Sequence, residues 1–234
     1  MNLKELFSLM GLTIDDTKEE KFKKYTKLLT DYNNKVNLTS ILDPDEINLK
    51  HYLDSVLPVL SGFFKDGMSV IDVGCGAGFP SVPLKIYNPS LKFTLLDSLN
   101  KRINFLNILI EELGLTDIST FHSRAEDAGH MENYRQKYDI CVARAVAPLN
   151  VLMEYCTPFV KCDGYFIALK GKDGDIELDN AKNAMKILNI ELVKKEEFIL
   201  PGTDNQRKIY IFKKIKSTPD KYPRQAGKPT KNPL

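Results

Sequence analysis

Hydrophobic residues change their spacing near residue 66 of the chain. In the first 65 residues they recur every three to four positions, which is typical of helices with one buried face. This pattern predicts one helix around Leu3–Met10, a second around Phe22–Tyr32 and a third from Pro44 to about Phe64, because proline is favoured at a helix start. We therefore expect residues 1–65 to form a helical extension that packs on the rest of the chain.

From residue 66 to residue 216, short apolar runs alternate with amphipathic stretches. Strand then helix, repeated at this length, predicts an α/β fold with a mostly parallel sheet covered on both faces. The last two strands are joined through Pro201-Gly202 without a helix, which indicates an antiparallel hairpin at one edge. The predicted strands are 69–73, 92–97, 118–122, 138–143, 165–170, 191–199 and 207–214, and the predicted helices between them are 80–88, 99–113, 148–161 and 175–189.

The first predicted strand runs into a glycine-rich turn. Gly74, Gly76 and Gly78 follow Asp72 at alternate positions. Glycine lets the backbone pass close under a ligand, while the next helix offers unpaired N–H groups. Phe79 stands where the dinucleotide pattern Gly-x-Gly-x-x-Gly has its third glycine. The turn therefore resembles the S-adenosylmethionine (SAM) loop of Rossmann-like methyltransferases rather than an NAD loop, although an ordinary strand-to-helix turn would also explain it.

Two carboxylates follow the next two predicted strands. Asp97 ends the second strand, 25 residues after Asp72, where it would accept hydrogen bonds from both ribose hydroxyls of an adenosine ligand. Its structural alternative is a helix N-cap. Glu126 follows the third strand, where it would accept from an adenine amino group or act as a carboxylate in the first turn of a helix. Because ligands bind beyond the carboxyl ends of parallel strands, we expect the site to collect residues 74–79, 97–99, 124–127 and 143–148.

An arginine stands at the apolar end of the fourth predicted strand. A charge is rarely left there without a partner, so Arg144 either pairs with a buried carboxylate or lines the site. In the site it would contact a methionine carboxylate, a phosphate or a guanine edge. This segment lacks the Asn/Asp-Pro-Pro-aromatic run of amine methyltransferases and the cysteine of cytosine carbon-5 methyltransferases. No catalytic residue is certain, and Arg144 is the one candidate.

An acceptor that is already nucleophilic fits the absence of a catalytic base. The nitrogen-7 of guanine carries no proton, so methyl transfer to it needs alignment and desolvation but no general base.

Composition narrows the class of protein. With 234 residues and 43% hydrophobic content, the chain can bury one sizeable core. No apolar run approaches the roughly 20 residues of a membrane span and no signal peptide is visible, so we expect a cytosolic protein without membrane contact. The four cysteines show no zinc-ligand spacing, so no metal is expected. Net charge is +2, yet residues 213–234 hold seven basic residues and one acidic residue, which predicts a basic tail at 217–234.

Several segments together resemble the RsmG (GidB) family of bacterial small-subunit rRNA methyltransferases. They are Asn37–Ser40, His51–Ser55, Asp72–Ser81, Asp97–Arg102, Arg124–Glu126, Ala143–Ala147 and Tyr222–Leu234, which span nearly the whole chain. The family is known as SAM-dependent enzymes that methylate nitrogen-7 of one guanine in 16S rRNA. The resemblance implies a class I SAM-dependent methyltransferase domain at residues 66–216, SAM as cofactor, and 16S rRNA or the small ribosomal subunit as partner. We expect a monomer.

The resemblance also implies roles for particular residues. The expected SAM contacts are Gly74, Gly76, Gly78, Phe79, Asp97, Ser98, Leu99, Ala125, Glu126 and Arg144. The expected RNA contacts are Lys101, Arg102, Lys170, Lys221, Arg224, Lys228 and Lys231, since neutralising phosphates releases counterions. For any single lysine, solubility is the simpler explanation. His51 and Asp54 lie on one face of a predicted helix, where they would cover the pocket or tie the helical extension to the main domain.

Other functions remain open at this point. A SAM-binding RNA-binding or assembly factor without catalysis would carry the same loop, and so would a methyltransferase for small molecules or proteins. An NAD-dependent oxidoreductase is disfavoured by Phe79.

Overall fold

Seven strands form one sheet, as predicted, in a computed structural model that describes residues 2–234. The strands are β1 (Ser69–Val73), β2 (Lys92–Asp97), β3 (Ile118–His122), β4 (Tyr138–Arg144), β5 (Val160–Lys170), β6 (Ile190–Ile199) and β7 (Gln206–Lys214). Their order across the sheet is β3-β2-β1-β4-β5-β7-β6. β1 to β5 pair in parallel, while β7 is antiparallel to both β5 and β6. The predicted α/β class and its antiparallel edge hairpin are confirmed.

The N-terminal helices precede the sheet in the chain. They are α1 (Leu3–Ser8), α2 (Asp16–Val36), α3 (Pro44–Ile47) and α4 (Asp54–Val56), with a π-helical turn at Asn48–Leu53 and a 3-10 turn at Leu57–Ser61. α2 begins where the Asp15 side chain accepts the Lys18 N–H, and it ends where Asn37 takes a left-handed conformation. The predicted helix from Pro44 to Phe64 is thus a helical run of mixed type.

The remaining helices cover the sheet. They are α5 (Ser81–Tyr87), α6 (Asn100–Glu112), α7 (Ala125–Ala128), α8 (Leu149–Cys156), α9 (Gly174–Asn180), α10 (Lys182–Leu188) and α11 (Lys228–Lys231). The predicted helix 148–161 is too long, because Pro158 cannot continue it and a 3-10 turn follows. β5 consequently begins at Val160, five residues earlier than predicted. The predicted helix 175–189 is interrupted at Ala181, between α9 and α10.

The helical extension shares its core with the sheet. Leu6 and Phe22 belong to the same buried cluster as Val70 of β1 and Ile140 of β4. The buried Tyr25 hydroxyl donates to the Ala77 carbonyl at 2.6 Å. The extension therefore packs directly against the turn that follows β1.

The C-terminal segment is folded onto the main domain. Tyr222 and Pro229 are buried, and α11 lies against α8. The basic tail predicted at 217–234 is thus a docked segment, on which Lys221, Lys228 and Lys231 are exposed. Among residues 2–234, no helix is long and apolar enough to cross a membrane.

Candidate active site

A cavity of about 300 Å³ lies at the carboxyl ends of β1, β2 and β3. We call it the glycine-loop cavity. Its lining brings together residues from all four segments that are predicted from the sequence, including Val146 of the fourth, and it adds Tyr155. The predicted residues that line it are Gly74, Asp97, Ser98, Ala125 and Glu126.

The three loop glycines have different reasons for lacking a side chain. All three have positive φ. A Cβ on Gly74 would lie 2.7 Å from Val146 Cγ2, and one on Gly78 would lie 2.7 Å from Val82 Cγ2. Gly76 instead faces open space, because a Cβ at this position would have no neighbouring atom within 4 Å. The backbone at Gly76 is therefore accessible to a ligand.

Asp97 holds the turn with both carboxylate oxygens. Oδ2 accepts the Gly76 N–H and Oδ1 accepts the Leu99 N–H, each at 2.9 Å. Arg102 lies 3.4 Å from Oδ2. A carboxylate has about four acceptor positions, so capacity remains for a ligand. The alternative role of Asp97 as the N-cap of α6 is wrong, since Leu99 occupies that position.

Asp72 lies buried beneath the glycine turn. Its Oδ2 accepts from the Ser81 hydroxyl at 2.7 Å and from the Ser81 N–H at 3.3 Å. Its Oδ1 has no hydrogen-bond partner among the residues described. Burial raises the pKa of Asp72 to about 7, against the opposing effect of the Ser81 hydrogen bonds. A nearby cation would favour the ionised carboxylate.

These features fit SAM. The cofactor carries ribose hydroxyls and an adenine amino group that need acceptors, which Asp97 and Glu126 offer at the cavity wall. It also carries a sulfonium and an ammonium, and Asp72 is a buried carboxylate with an unpaired oxygen below the loop. The open backbone at Gly76 leaves room for close approach.

A second cavity of about 600 Å³ lies at the ends of β4 and β5, against the helical extension. We call it the Arg144 cavity. Arg144 Nη1 lies 3.0 Å from Asp54 Oδ2 and 3.2 Å from the Lys50 carbonyl oxygen. Arg207 Nε lies 2.9 Å from Asp54 Oδ1. Arg144 thus pairs with a buried carboxylate, which is one of the two roles left open by the sequence, and it also lines a cavity.

His51 and Phe79 stack beside Arg144. Their ring centroids are 4.4 Å apart, and the guanidinium carbon of Arg144 lies 5.0 Å from the Phe79 centroid. His51 Nε2 is 2.8 Å from Thr39 Oγ1. Burial, and then the charge of Arg144, lowers the pKa of His51 to about 4. The imidazole is therefore neutral at pH 7.

The two cavities share one residue, Val146, which lines both. Arg144, predicted as a SAM contact, lines the larger cavity and is absent from the lining of the smaller one. Phe79, another predicted SAM contact, packs under His51 and Arg144. Arg144 therefore lies on the far side of the shared wall from Glu126, and Phe79 is absent from the lining of both cavities.

Three predicted RNA contacts have protein partners. Lys170 is buried; its ammonium donates to the Ala147 carbonyl and pairs with Glu177, each at 2.7 Å. Arg102 lies beside Asp97. Arg224 pairs with buried Glu154 at 2.6 Å, so its guanidinium is already engaged within the protein. The exposed candidates are Lys101, Lys221, Lys228 and Lys231.

Sequence reasoning missed Arg207, Glu177 and Tyr155. Arg207 lies near the start of β7 in the edge hairpin, and its partner Asp54 is 153 residues away. Glu177 accepts the Leu149 N–H at the start of α8 as well as Lys170. No local signal marks these three residues, because each takes its role from a distant part of the chain.

The strand order, the Gly-x-Gly-x-Gly turn after β1 and the carboxylate after β2 together define a Rossmann-like, SAM-dependent methyltransferase of class I. The chain belongs to a particular family of these enzymes, GidB, described as rRNA small subunit methyltransferase G, which matches residues 18–209.

Two curated relatives carry the name ribosomal RNA small subunit methyltransferase G. The one from Lactobacillus acidophilus is 52% identical over 94% of this chain and 93% of its own length. The one from Alkaliphilus metalliredigens is 47% identical over 100% of this chain and 98% of its own length. The crystal structure of a SAM-dependent methyltransferase from Aquifex aeolicus shares the fold, with a TM-score of 0.55 and 18% identity, over 82% of this chain and 97% of that chain.

Proposed function

We propose that this enzyme transfers the methyl group of SAM to nitrogen-7 of a guanine in small-subunit (16S) rRNA. The observation that carries the proposal is a pair of adjoining cavities, of which the larger holds two fixed guanidinium groups and no free general base among the residues described. The name shared by the relatives supports ribosomal RNA as the substrate class.

The glycine-loop cavity is the proposed cofactor site. SAM supplies a methyl group on a positively charged sulfur. Asp97 accepts from the ribose hydroxyls, and Glu126 accepts from the adenine amino group. Ser98, Leu99 and Ala125 flank the adenosine, and the backbone from Gly74 to Gly78 lies under the methionine end. Arg144, which lines the other cavity and is absent from the lining of this one, serves the acceptor side instead.

The Arg144 cavity is the proposed acceptor site. Asp54 fixes the guanidinium groups of Arg144 and Arg207, so both keep their orientation without substrate. Arg144, Arg207 and Lys170 line a positively charged cavity, which suits a phosphate or the oxygen-6 of guanine.

The acidic and basic side chains of this cavity are poor proton acceptors. Asp54 is paired with two arginines, and Glu177 is paired with Lys170 and the Leu149 N–H. His51 is neutral at pH 7, yet the low pKa makes it a weak base. Guanine nitrogen-7 needs no base: its lone pair forms the new bond to carbon, the carbon–sulfur bond breaks, and sulfur keeps that electron pair. A neutral His51 also avoids repelling the cationic ring that forms.

Exposed lysines supply the proposed RNA contacts. Lys101 stands at the start of α6 beside Asp97, and Lys221, Lys228 and Lys231 lie on the C-terminal segment. Phosphate contacts position RNA without reading its sequence, so specificity would come from RNA shape. We expect the enzyme to act as a monomer in the cytoplasm.

Methyl transfer tests the proposal. Labelled SAM is incubated with unmodified 16S rRNA, either naked or within small subunits, and the RNA is digested to nucleosides. The proposal expects label in 7-methylguanosine at one site, and the better of the two RNAs identifies the substrate form. SAM binding without label in either RNA would favour a non-catalytic factor or a small-molecule enzyme instead.

A further inference from the structure

The C-terminal segment Thr218–Lys231 is wedged between the polypeptide after α7 and helix α8. Arg135 donates to the carbonyls of Thr218 and Tyr222, each at 2.8 Å, and also to the Gly129 carbonyl at 2.8 Å. His130 Nε2 lies 2.7 Å from the Pro223 carbonyl oxygen. One side of the segment is therefore tied to the residues that directly follow α7.

The other side is anchored by an ion pair with α8. Glu154 is fully buried, and its carboxylate accepts both the Arg224 N–H at 2.7 Å and the Arg224 guanidinium at 2.6 Å. A buried carboxylate that loses its cation is strongly unfavourable, so Glu154 holds this segment in place. Because Glu154 is buried in the folded protein and needs its cation, the folded state requires the segment to be docked against α8.

Beyond Arg224 the segment reaches the glycine-loop cavity. The Gly227 N–H donates to Glu126 Oε1 at 3.3 Å. The Thr230 hydroxyl lies 3.1 Å from the Tyr155 hydroxyl. Glu126 and Tyr155 both line the cavity. One carboxylate oxygen of Glu126 is therefore held by the C-terminal segment, which leaves the other oxygen for a ligand.

We propose that Thr218–Lys231 is a positioning element of the cofactor site, which holds Glu126 against the adenine ring and couples its own docking to cofactor affinity. The inference rests on the proposed function, in which Glu126 reads the adenine amino group. Arg224 and Glu154 act through Glu126 and are positioning residues. Coupling is reciprocal, so a bound cofactor should in turn hold the segment more firmly.

Adenine discrimination measures the position of Glu126. S-adenosylhomocysteine carries the 6-amino group, while the analogue with an unsubstituted purine base lacks it and has no N–H on that edge of the ring. We expect the unaltered enzyme to prefer the former by at least about tenfold, since the acceptor is charged. Arg224→Met should reduce this ratio severalfold, and Arg224→Lys, which keeps a cation for Glu154, should restore part of it. Gln225→Ala, an exposed neighbour whose side chain makes no hydrogen bond within residues 2–234, is the matched control.

Glu126→Ala separates the inference from the proposed function. If Glu126→Ala abolishes the discrimination and Arg224→Met leaves it unchanged, the positioning role is overturned while the cofactor site stands. If Glu126→Ala itself retains the discrimination, both the adenine contact and the positioning role are overturned.

Hydrogen exchange provides a test whose decisive measurement is made on the unaltered enzyme. Amide exchange of the peptide covering residues 218–231 is followed in the unaltered enzyme with and without saturating S-adenosylhomocysteine. The inference expects slower exchange with the ligand and no such slowing in Glu126→Ala. Unchanged exchange in the unaltered enzyme, with binding confirmed by a thermal shift, would overturn it.

Discussion

The two cavities of this enzyme are built in different ways. The glycine-loop cavity is assembled from short segments that follow three successive strands, and Asp97 fixes it by bonding backbone groups 2 and 21 residues away. The Arg144 cavity is held by Asp54, which reaches across the chain to Arg144 and Arg207, 90 and 153 residues away. The first cavity is thus held by contacts between residues that are close in the chain, and the second by contacts between residues that are far apart in the chain.

This difference makes the two cavities separable by mutation. A change in the ion pairs should disturb the Arg144 cavity and the attachment of the helical extension while it leaves cofactor affinity nearly intact. A change at Asp97 should weaken cofactor binding while it leaves the Arg144 cavity and the attachment of the helical extension nearly intact. The contrast holds only if Val146, the shared wall, does not transmit one disturbance to the other cavity.

Asp54→Ala should have the largest effect. Two arginines would lose a buried carboxylate, so we expect the free energy of unfolding to fall by about 3 kcal/mol. Methyl transfer should fall at least tenfold, since Arg144 and Arg207 lose their fixed orientation. Affinity for S-adenosylhomocysteine should change less than about threefold, because a mutation at one site has little effect on a separate site. Urea unfolding and calorimetry measure these quantities, with exposed Asp45→Ala as control. Cofactor affinity that falls in step with methyl transfer would contradict the separation.

Asp97→Ala tests the local cavity. Loss of both proposed ribose hydrogen bonds should weaken S-adenosylhomocysteine binding by about 1 to 3 kcal/mol, or about 5- to 150-fold. Exposed Asp127→Ala on α7 is the matched control. Calorimetric titration gives the affinity, and a value equal to that of the control would remove Asp97 from the cofactor site.

His51, in the Arg144 cavity, should make the stability of the folded enzyme decrease in acid. The folded-state pKa of about 4 lies below the ordinary 6.5, so the unfolded chain binds the proton first as pH falls. The stability that a neutral His51 contributes is fully present above pH 6.5 and is lost as the pH falls from 6.5 to 4. At pH 5 the free energy of unfolding has fallen by about 2 kcal/mol. His51→Gln should lose this part of the pH dependence in urea unfolding between pH 7 and 5. Exposed His122→Gln, at the glycine-loop end, is the comparison, and equal slopes for all three proteins would argue against a buried neutral imidazole.

Lys228 and Lys231 should have the smallest effect. Both are exposed, and replacing them with alanine should lower the dependence of RNA affinity on salt by about 0.7 to 0.9 log units per log unit of salt for each lost phosphate contact. Binding isotherms over a salt series measure the slope, with exposed Lys182 and Lys186 of α10 replaced as a matched pair. If both double variants keep the same slope, the lysines of the C-terminal segment serve solubility alone.

The central strands could be predicted from the sequence because β1 and β4 contain short, mostly apolar runs, Val70–Val73 and Ile140–Ala143. The start of β5 could not, since Lys161, Cys162 and Asp163 carry no strand pattern and lie in an irregularity of the β4–β5 ladder, between the pairs Tyr138–Val160 and Ile140–Tyr165. The helix ends could not be predicted either, because they depend on packing against other elements, as in the break between α9 and α10 at Ala181.

The glycine-loop cavity was largely predictable because its residues lie in short segments that directly follow successive strands. Gly74, Asp97 and Glu126 each follow a strand, and the rule for parallel sheets brings them together. Arg224 shows the limit of this reasoning: a basic residue in a basic segment predicts an exposed cation, and only the fold reveals that Glu154 is buried 70 residues upstream. Asp54 and Arg207 belong to the same class of long-range partners.

Transfer to RNA that lacks the acceptor atom tests the central claim most directly. Unmodified 16S transcripts are prepared with guanosine or with 7-deazaguanosine, in which carbon replaces nitrogen-7, and binding of both by the enzyme is checked first. The account predicts label in 7-methylguanosine from the guanosine transcript and no label in the 7-deaza transcript. Label in the 7-deaza transcript, or label at another atom of the ordinary one, would contradict it.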